Sequence, residues 1–209
     1  MNNTNPISNK NLWIVILVGV SISVVTGLLI TKKLLLGGTS KSKDYSKYFN
    51  NKYRWYKDEH TRSVVNKLHP NYRGKIAEFY SKIEEELGFT AYATSGYRTF
   101  KEQEALYQQN SNNAKAGHSS HNFGYAIDMN VKNKDGNIFL KKADTSKKWR
   151  DSGVVPLSEK LGLLWGGDGN FGSYHDPVHF YIKPNGKSTD QLRALVNDGK
   201  VDDNGYVLV

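Results

Sequence analysis

Two short stretches of this chain, far apart in sequence, make chemical sense only if the fold brings them together. Ser119-Ser120-His121-Asn122-Phe123-Gly124-Tyr125-Ala126-Ile127-Asp128 comes first, and Asp176-Pro177-Val178-His179-Phe180 comes later. Residues 124–131 alternate enough to predict a strand, and the branched and aromatic residues of 178–182 predict another. Gly124 frees the backbone to turn closely between His121 and Asp128. Neighbouring strands would then gather His121, Asp128 and His179 on one rigid floor. Two histidines and one aspartate are the ligand set of a catalytic zinc site, whose fourth tetrahedral position is open to a water with its pKa lowered to about 7. Asp176, just ahead of His179, stands where it can take that water's proton. The pattern reads as a hydrolase.

Each of these residues also has a plainer reading. Without a metal, a buried Asp128 needs a cationic partner, and Arg98 is available. Asp176 can serve as a turn-former before Pro177. The chain has six histidines: His60, His69, His118, His121, His175 and His179. His118 is the nearest rival ligand. His175 and His179 have the spacing of a zinc-binding pair on a helix. Pro177 between them disfavours that helix, which leaves His175 in a loop. His60 and His69 fall in the helical front half and are expected to be structural.

With no cysteine in its 209 residues, the chain has neither disulfides nor thiolate ligands, and a lipid-modified cysteine anchor is excluded. Its net charge is +9, of which three charges come from Lys10, Lys32 and Lys33. A basic surface suits anionic surroundings: nucleic acid, membrane headgroups or an anionic cell-wall polymer.

From Asn11 to Thr31 no residue is charged. At about 1.5 Å per residue such a run reaches roughly 32 Å, enough to cross a hydrocarbon core of about 30 Å. Trp13 and Lys32-Lys33 flank it as interface anchors would. The organisation expected is a tail over 1–11, a transmembrane helix over 12–31, a polar linker over 32–54, a domain over 55–185, and a C-terminal helix and tail over 186–209 packed on it. Lys32, Lys33, Lys41, Lys43 and Lys47 outnumber Lys10, so the positive-inside tendency places the large domain in the cytoplasm.

Within the domain, Ile76, Phe79, Tyr80, Ile83 and Leu87 recur at helical spacing, and Gly88 stops the helix. Residues 90–94 read as a strand. Thr99 and Glu102 form a capping-box pattern for a helix to about Gln109. A polar loop covers 110–120, Lys134-Asp135-Gly136 marks a turn, and 161–166 reads as a further strand. Ser188 with Gln191 opens a last helix that stops at Gly199. The sum is a single α+β domain.

These residues resemble a known family: the zinc peptidases of bacterial and phage cell-wall metabolism, which include D-alanyl-D-alanine carboxypeptidases and L-alanyl-D-glutamate endopeptidases. The matching pieces come in order. They are Leu68-His69-Pro70, Ser95-Gly96-Tyr97-Arg98-Thr99, Glu102-Gln103, the stretch 117–128 with its Ser-x-His-x-x-Gly-x-Ala-x-Asp pattern, Leu164-Trp165-Gly166-Gly167-Asp168, and Asp176 to Phe180.

The resemblance implies a small central antiparallel sheet with helices packed on one side. It implies one zinc ion held by His121, Asp128 and His179, and Asp176 as the catalytic base. Arg98 would hold a substrate carboxylate or help carry the oxyanion charge, Ser119 would contact the substrate backbone, and Trp165 would line the cleft. The implied partner is the stem peptide of peptidoglycan rather than nucleic acid. Family carboxypeptidases of vancomycin resistance place Glu-Pro-Trp-His where this chain has Asp-Pro-Val-His. That favours the endolysin-like L-alanyl-D-glutamate endopeptidase branch over D-alanyl-D-alanine trimming. A zinc-containing wall-binding module without catalysis is the rival class, although such a module needs no Asp176. The substrate also calls for an extracytoplasmic domain, in a host envelope or virion membrane for a phage protein, against the lysine count.

Overall fold

A computed structural model describes residues 43–169 and 174–209. The chain divides into Met1–Asp44 and Tyr45–Val209, and the sheet and its helices belong to the second unit. The tail over 1–11, the membrane helix expected over 12–31 and part of the linker lie outside the described residues. Among the described residues no helix is long and apolar enough to cross a membrane.

The folded unit starts ten residues ahead of Trp55, the start expected from sequence. Ser46–Tyr48 form a 3-10 turn, Tyr48 and Tyr53 are buried, and Tyr45 and Phe49 pack against the same core. The stretch expected to be a tether over 32–54 is therefore packed from Tyr45 onward. The reason is aromatic: each ring removes roughly 150–250 Å² from water, more than the polar neighbours can offset. Gly74 makes room for this, since a Cβ there would sit 2.5 Å from the Tyr45 ring. The Tyr48 hydroxyl donates to Glu78 at 3.0 Å. Its burial, helped by Glu78, pushes the Tyr48 pKa up to about 12.

Three helices come next: α1 (Arg54–Lys57), α2 (Glu59–Asn66) and α3 (Pro70–Lys82). Pro70 suits the first turn of α3 because its missing N–H would be unpaired there anyway. A π turn over Ile83–Leu87 extends α3 until Gly88, at φ 72°, ends it. The helix, its stop and the next strand fall where the sequence predicts them.

The sheet is antiparallel throughout. Its strands are β1 (Thr90–Ser95), β2 (Ala126–Lys132), β3 (Ile138–Leu140), β4 (Leu164–Trp165) and β5 (His179–Tyr181). The order is β1-β2-β5-β4, with β3 also on β2. Thus β2 is central, pairing β1 on one edge and sharing the other between β5 and β3. Helix α2 covers the free edge of β1, where Ala93 N–H donates to the Thr61 hydroxyl at 3.2 Å.

Across β2 and β5, Ile127 pairs with Phe180 and Asp128 with His179. Strand alternation sends these two pairs to opposite faces. The Phe180 ring lies 5.2 Å from Phe79 of α3 and 5.9 Å from Trp149 of α5 (Ser146–Asp151), so helices cover that face. The Asp128 and His179 face is left for chemistry.

Sequence pattern does not reveal β3, α5 or α6 (Val154–Lys160), and it draws β4 too long. These elements are two to seven residues long, too short to display a period. The two capping boxes are both present, opening α4 (Phe100–Gln109) and α7 (Thr189–Asn197). After α7 the chain folds back through a Val201–Val207 bridge, and Val207 is buried.

Candidate metal centre

The three expected ligands arrive from two neighbouring strands and one turn. Asp128 and His179 face each other across β2 and β5. His121 sits in the 3-10 turn Ser120–Phe123, which Gly124 ends at φ 70°. A Cβ on Gly124 would lie 2.7 Å from the backbone nitrogen of His69, so both the backbone angle and the contact call for glycine. The Ser119 hydroxyl caps the turn, accepting from His121 N–H at 3.4 Å.

His121 Nε2 lies 3.2 Å from Asp128 Oδ1 and 3.1 Å from His179 Nδ1, and the last two are 2.8 Å apart. Donors of a tetrahedral zinc at about 2.0–2.2 Å stand roughly 3.3 Å from one another. The triangle therefore matches a zinc ion after an outward relaxation of a few tenths of an ångström. The surrounding hydrogen bonds agree. His121 Nδ1 is 2.6 Å from the Gly96 carbonyl, which can only accept, so Nδ1 carries the proton and Nε2 presents a lone pair. The Ser120 hydroxyl is 3.4 Å from the far nitrogen of His179.

Electrostatics points the same way. Burial draws the His121 imidazole below its ordinary pKa and keeps it neutral. Burial also opposes ionisation of Asp128, yet His121 and His179 outweigh it and hold the carboxyl well below the usual range. A carboxylate and a neutral imidazole, as in Asp128 and His121, are forms a divalent cation binds.

A cavity of about 600 Å³ opens over this triangle, and Arg98, Ser119 and Asp176 line it together with the three ligands. Arg98 donates to Gln103 Oε1 at 2.9 Å, and its other terminal nitrogen is 3.4 Å from Asp128 Oδ2. The salt bridge expected of a metal-free Asp128 thus exists, but it uses the oxygen that the histidines leave. Arg98 Nε is buried without a hydrogen-bond partner among the described residues. Asp176 is fixed through its backbone: its N–H donates to the Gly166 carbonyl and its carbonyl accepts from His179 N–H, each at 3.1 Å. Its Oδ1 lies 3.5 Å from Lys142 Nζ.

Trp165 corrects the expectation that it lines the cleft. It is 2 % exposed and absent from the cavity wall. It lies in β4 beside β5, paired with Phe180, and its indole N–H donates to the Pro177 carbonyl at 2.8 Å, bracing the turn that carries Asp176. A tryptophan in the core layer has more apolar surface to bury than a wet cleft would cover.

The other histidines stand away from the triangle. His118 is drawn to α7, with Nδ1 3.1 Å from Asp190. His175 is an exposed loop residue beside Ser146, and His60 is exposed. His69 is buried and stacks on Tyr125.

Two residues of the site have no role in the sequence-based expectation. Gln103 holds Arg98 on one side and donates to the Ala114 carbonyl at 2.7 Å on the other. Its place inside the capping-box helix directly after Arg98 is the available signal. Lys142 comes after a short strand with no periodic pattern, and nothing in the sequence marks it.

Comparison with known proteins meets this geometry. The family described as D-alanyl-D-alanine carboxypeptidase matches residues 112–182. Peptidoglycan L-alanyl-D-glutamate endopeptidase CwlK of Bacillus subtilis (strain 168) is 31% identical over 134 residues, spanning 58% of this chain and 77% of that protein. The chain belongs to this zinc peptidase family. Among solved structures, the Serratia marcescens L-Ala D-Glu endopeptidase ChiX covers 61% of this chain and 90% of its own at 15% identity and TM-score 0.45. VanYB in complex with D-alanine-D-alanine covers 61% and 77% at 14% identity and TM-score 0.44. In this member the family pattern Ser-x-His-x-x-Gly-x-Ala-x-Asp corresponds to the turn capped by Ser119 and to the central strand β2.

Proposed function

We propose that the protein is a zinc-dependent peptidase that hydrolyses the L-alanyl-D-glutamate bond in the stem peptide of bacterial peptidoglycan. One observation carries the reading: His121 Nε2, Asp128 Oδ1 and His179 Nδ1 converge within 3.2 Å on a cavity that Asp176 also lines. These three atoms would hold the ion. Bound there, zinc supplies Lewis-acid polarisation of the carbonyl and a water acidified to near neutral pH.

The chain's own groups do the rest. The Asp176 carboxylate accepts the proton of the attacking water and returns it to the leaving amine, as general base and then general acid. Arg98, steadied by Gln103 and with Nε unsatisfied, offers N–H groups to a substrate carboxylate or to the developing oxyanion. Ser119 shapes the turn that presents His121 and borders the cavity where a peptide backbone would lie.

The choice of bond rests on the likeness to CwlK and on Val178 standing where the carboxypeptidases of vancomycin resistance carry tryptophan. The description of the matching family favours a second reading, removal of a terminal D-alanine. Digestion of purified peptidoglycan by the full-length protein, with mass spectrometry of the fragments, separates them. New amino termini on D-glutamate are expected, and release of free D-alanine would establish the second reading. Turnover unaffected by a chelator would remove the zinc mechanism, and binding without cleavage would leave a wall-binding module.

The site in the envelope is part of the same proposal. The uncharged run of 11–31 supports a single membrane span, and the substrate supports an extracytoplasmic domain. Protease protection in intact cells or virions tests that orientation.

A further inference from the structure

The cavity is not evenly charged. At the metal end Asp128 is met by His121, His179 and Arg98, and Asp176 by Lys142. Lys183 and Lys187 line the other part of the same cavity, and among the described residues neither has an ion-pair partner. Two lysines, Lys183 exposed and Lys187 half-buried, thus border one open cavity, and among the described residues its two carboxylates, Asp128 and Asp176, are engaged by other cations.

Their placement stems from the backbone. His179, Tyr181, Ile182 and Lys183 line the cavity along one chain segment. Lys183 is still extended, at φ −105° and ψ 97°. A tight turn over Pro184–Gly186 then brings Lys187 back, with Gly186 N–H donating to Lys183 O at 3.0 Å and Lys187 N–H to Pro184 O at 2.9 Å. At about 3.3 Å per residue, Lys183 lies roughly 13 Å along the floor from the ligand His179. An extended peptide with its reacting bond over the triangle reaches that point about four residues away.

We propose that Lys183 and Lys187 form an anion subsite that binds a carboxylate of the substrate peptide about four residues from the bond to be cut. This rests on the peptidase reading and deepens it, because it names a substrate feature the metal end does not read. The continuous floor from His179 to Lys183 favours a carboxylate on the same peptide over an independent anion.

Equilibrium binding to the full-length protein tests it. The probe is a non-cleavable stem-peptide analogue, made once with a free carboxylate about four residues from the blocked bond and once with a carboxamide there. The free acid is expected to bind wild type about tenfold tighter, a preference that falls with added salt. Lys183→Met with Lys187→Met should abolish that preference and leave the carboxamide's affinity unchanged, while Lys134→Met, in a turn outside the cavity, should retain it. Equal binding of both probes by wild type, or a preference surviving in the double variant, would overturn the subsite. So would displacement of the free acid by inorganic phosphate at lower concentration than by acetate, which would assign the lysines to a phosphate. Cleavage of whole peptidoglycan, assayed in parallel, reports on the peptidase reading separately.

Discussion

His69 and His121 are both buried, 5 % and 2 % exposed, and each has one ring nitrogen against a backbone carbonyl. His69 Nε2 is 3.0 Å from Val207 O, and His121 Nδ1 is 2.6 Å from Gly96 O. They differ in the second nitrogen. That of His69 accepts Asn71 N–H at 3.2 Å and caps α3, so its lone pair is committed to the fold. That of His121 meets, among the described residues, only a carboxylate and another imidazole. Burial does not make a histidine a ligand; an uncommitted lone pair facing other acceptors does. Gly124 joins the two regions, since its carbonyl accepts His69 N–H at 3.0 Å while its left-handed turn presents His121.

The sharpest way to break this contrast is to remove each ring. His121→Ala should lose bound zinc and reduce turnover by about a thousandfold or more, the several kcal/mol that a Lewis acid supplies. Zinc content by mass spectrometry, measured with the rate, checks it; stoichiometric metal in that variant would end the ligand assignment. Asp176→Asn should keep the metal and lose about a hundred- to ten-thousandfold in rate. Retained activity would remove Asp176 as the base.

Smaller effects sharpen the other side. Gly124→Ala should cost about 2–3 kcal/mol through strain at positive φ and the clash at His69, and lower zinc affinity with it. Urea unfolding and metal titration would show whether both regions move together, and an unchanged midpoint would sever the link. His69→Gln should cost about 1–3 kcal/mol with zinc stoichiometry unchanged.

The least of the expected effects is in pH. Burial holds His69 below its ordinary pKa, against the opposing bond to Val207. The unfolded chain then takes up a proton that the folded one resists. The contribution of His69 is complete above about pH 6.5 and drains as pH falls toward its lowered folded value, by at most about 1.4 kcal/mol per unit. Wild type should therefore lose more stability than His69→Gln between about pH 7.5 and about pH 5.5. Parallel losses would mean that His69 stays neutral or titrates alike in both states.

Much of the site is legible in the sequence. The ligand stretch can be read because its chemistry and its strand period coincide: Asp128 and His179 fall on the face opposite Ile127 and Phe180, as alternation requires. The capping boxes at Thr99 and Ser188 are readable because a helix start is a local contract among a few residues. Trp165 is not, since a tryptophan's sequence neighbours do not say whether its ring meets water or Pro177. Lys142 and Tyr45 are hidden for the same reason, as their partners Asp176 and Gly74 are tertiary neighbours only.

The docking of Tyr45 beside Gly74 sets a leash. Should residues 12–31 anchor in a bilayer as proposed, only residues 32–44 are left to stretch, at most about 45 Å of extended chain. A free stretch to residue 54 would have allowed about 80 Å. Under that proposal, packing of the chain from Tyr45 onward shortens the reach of the active site from the bilayer by about 35 Å.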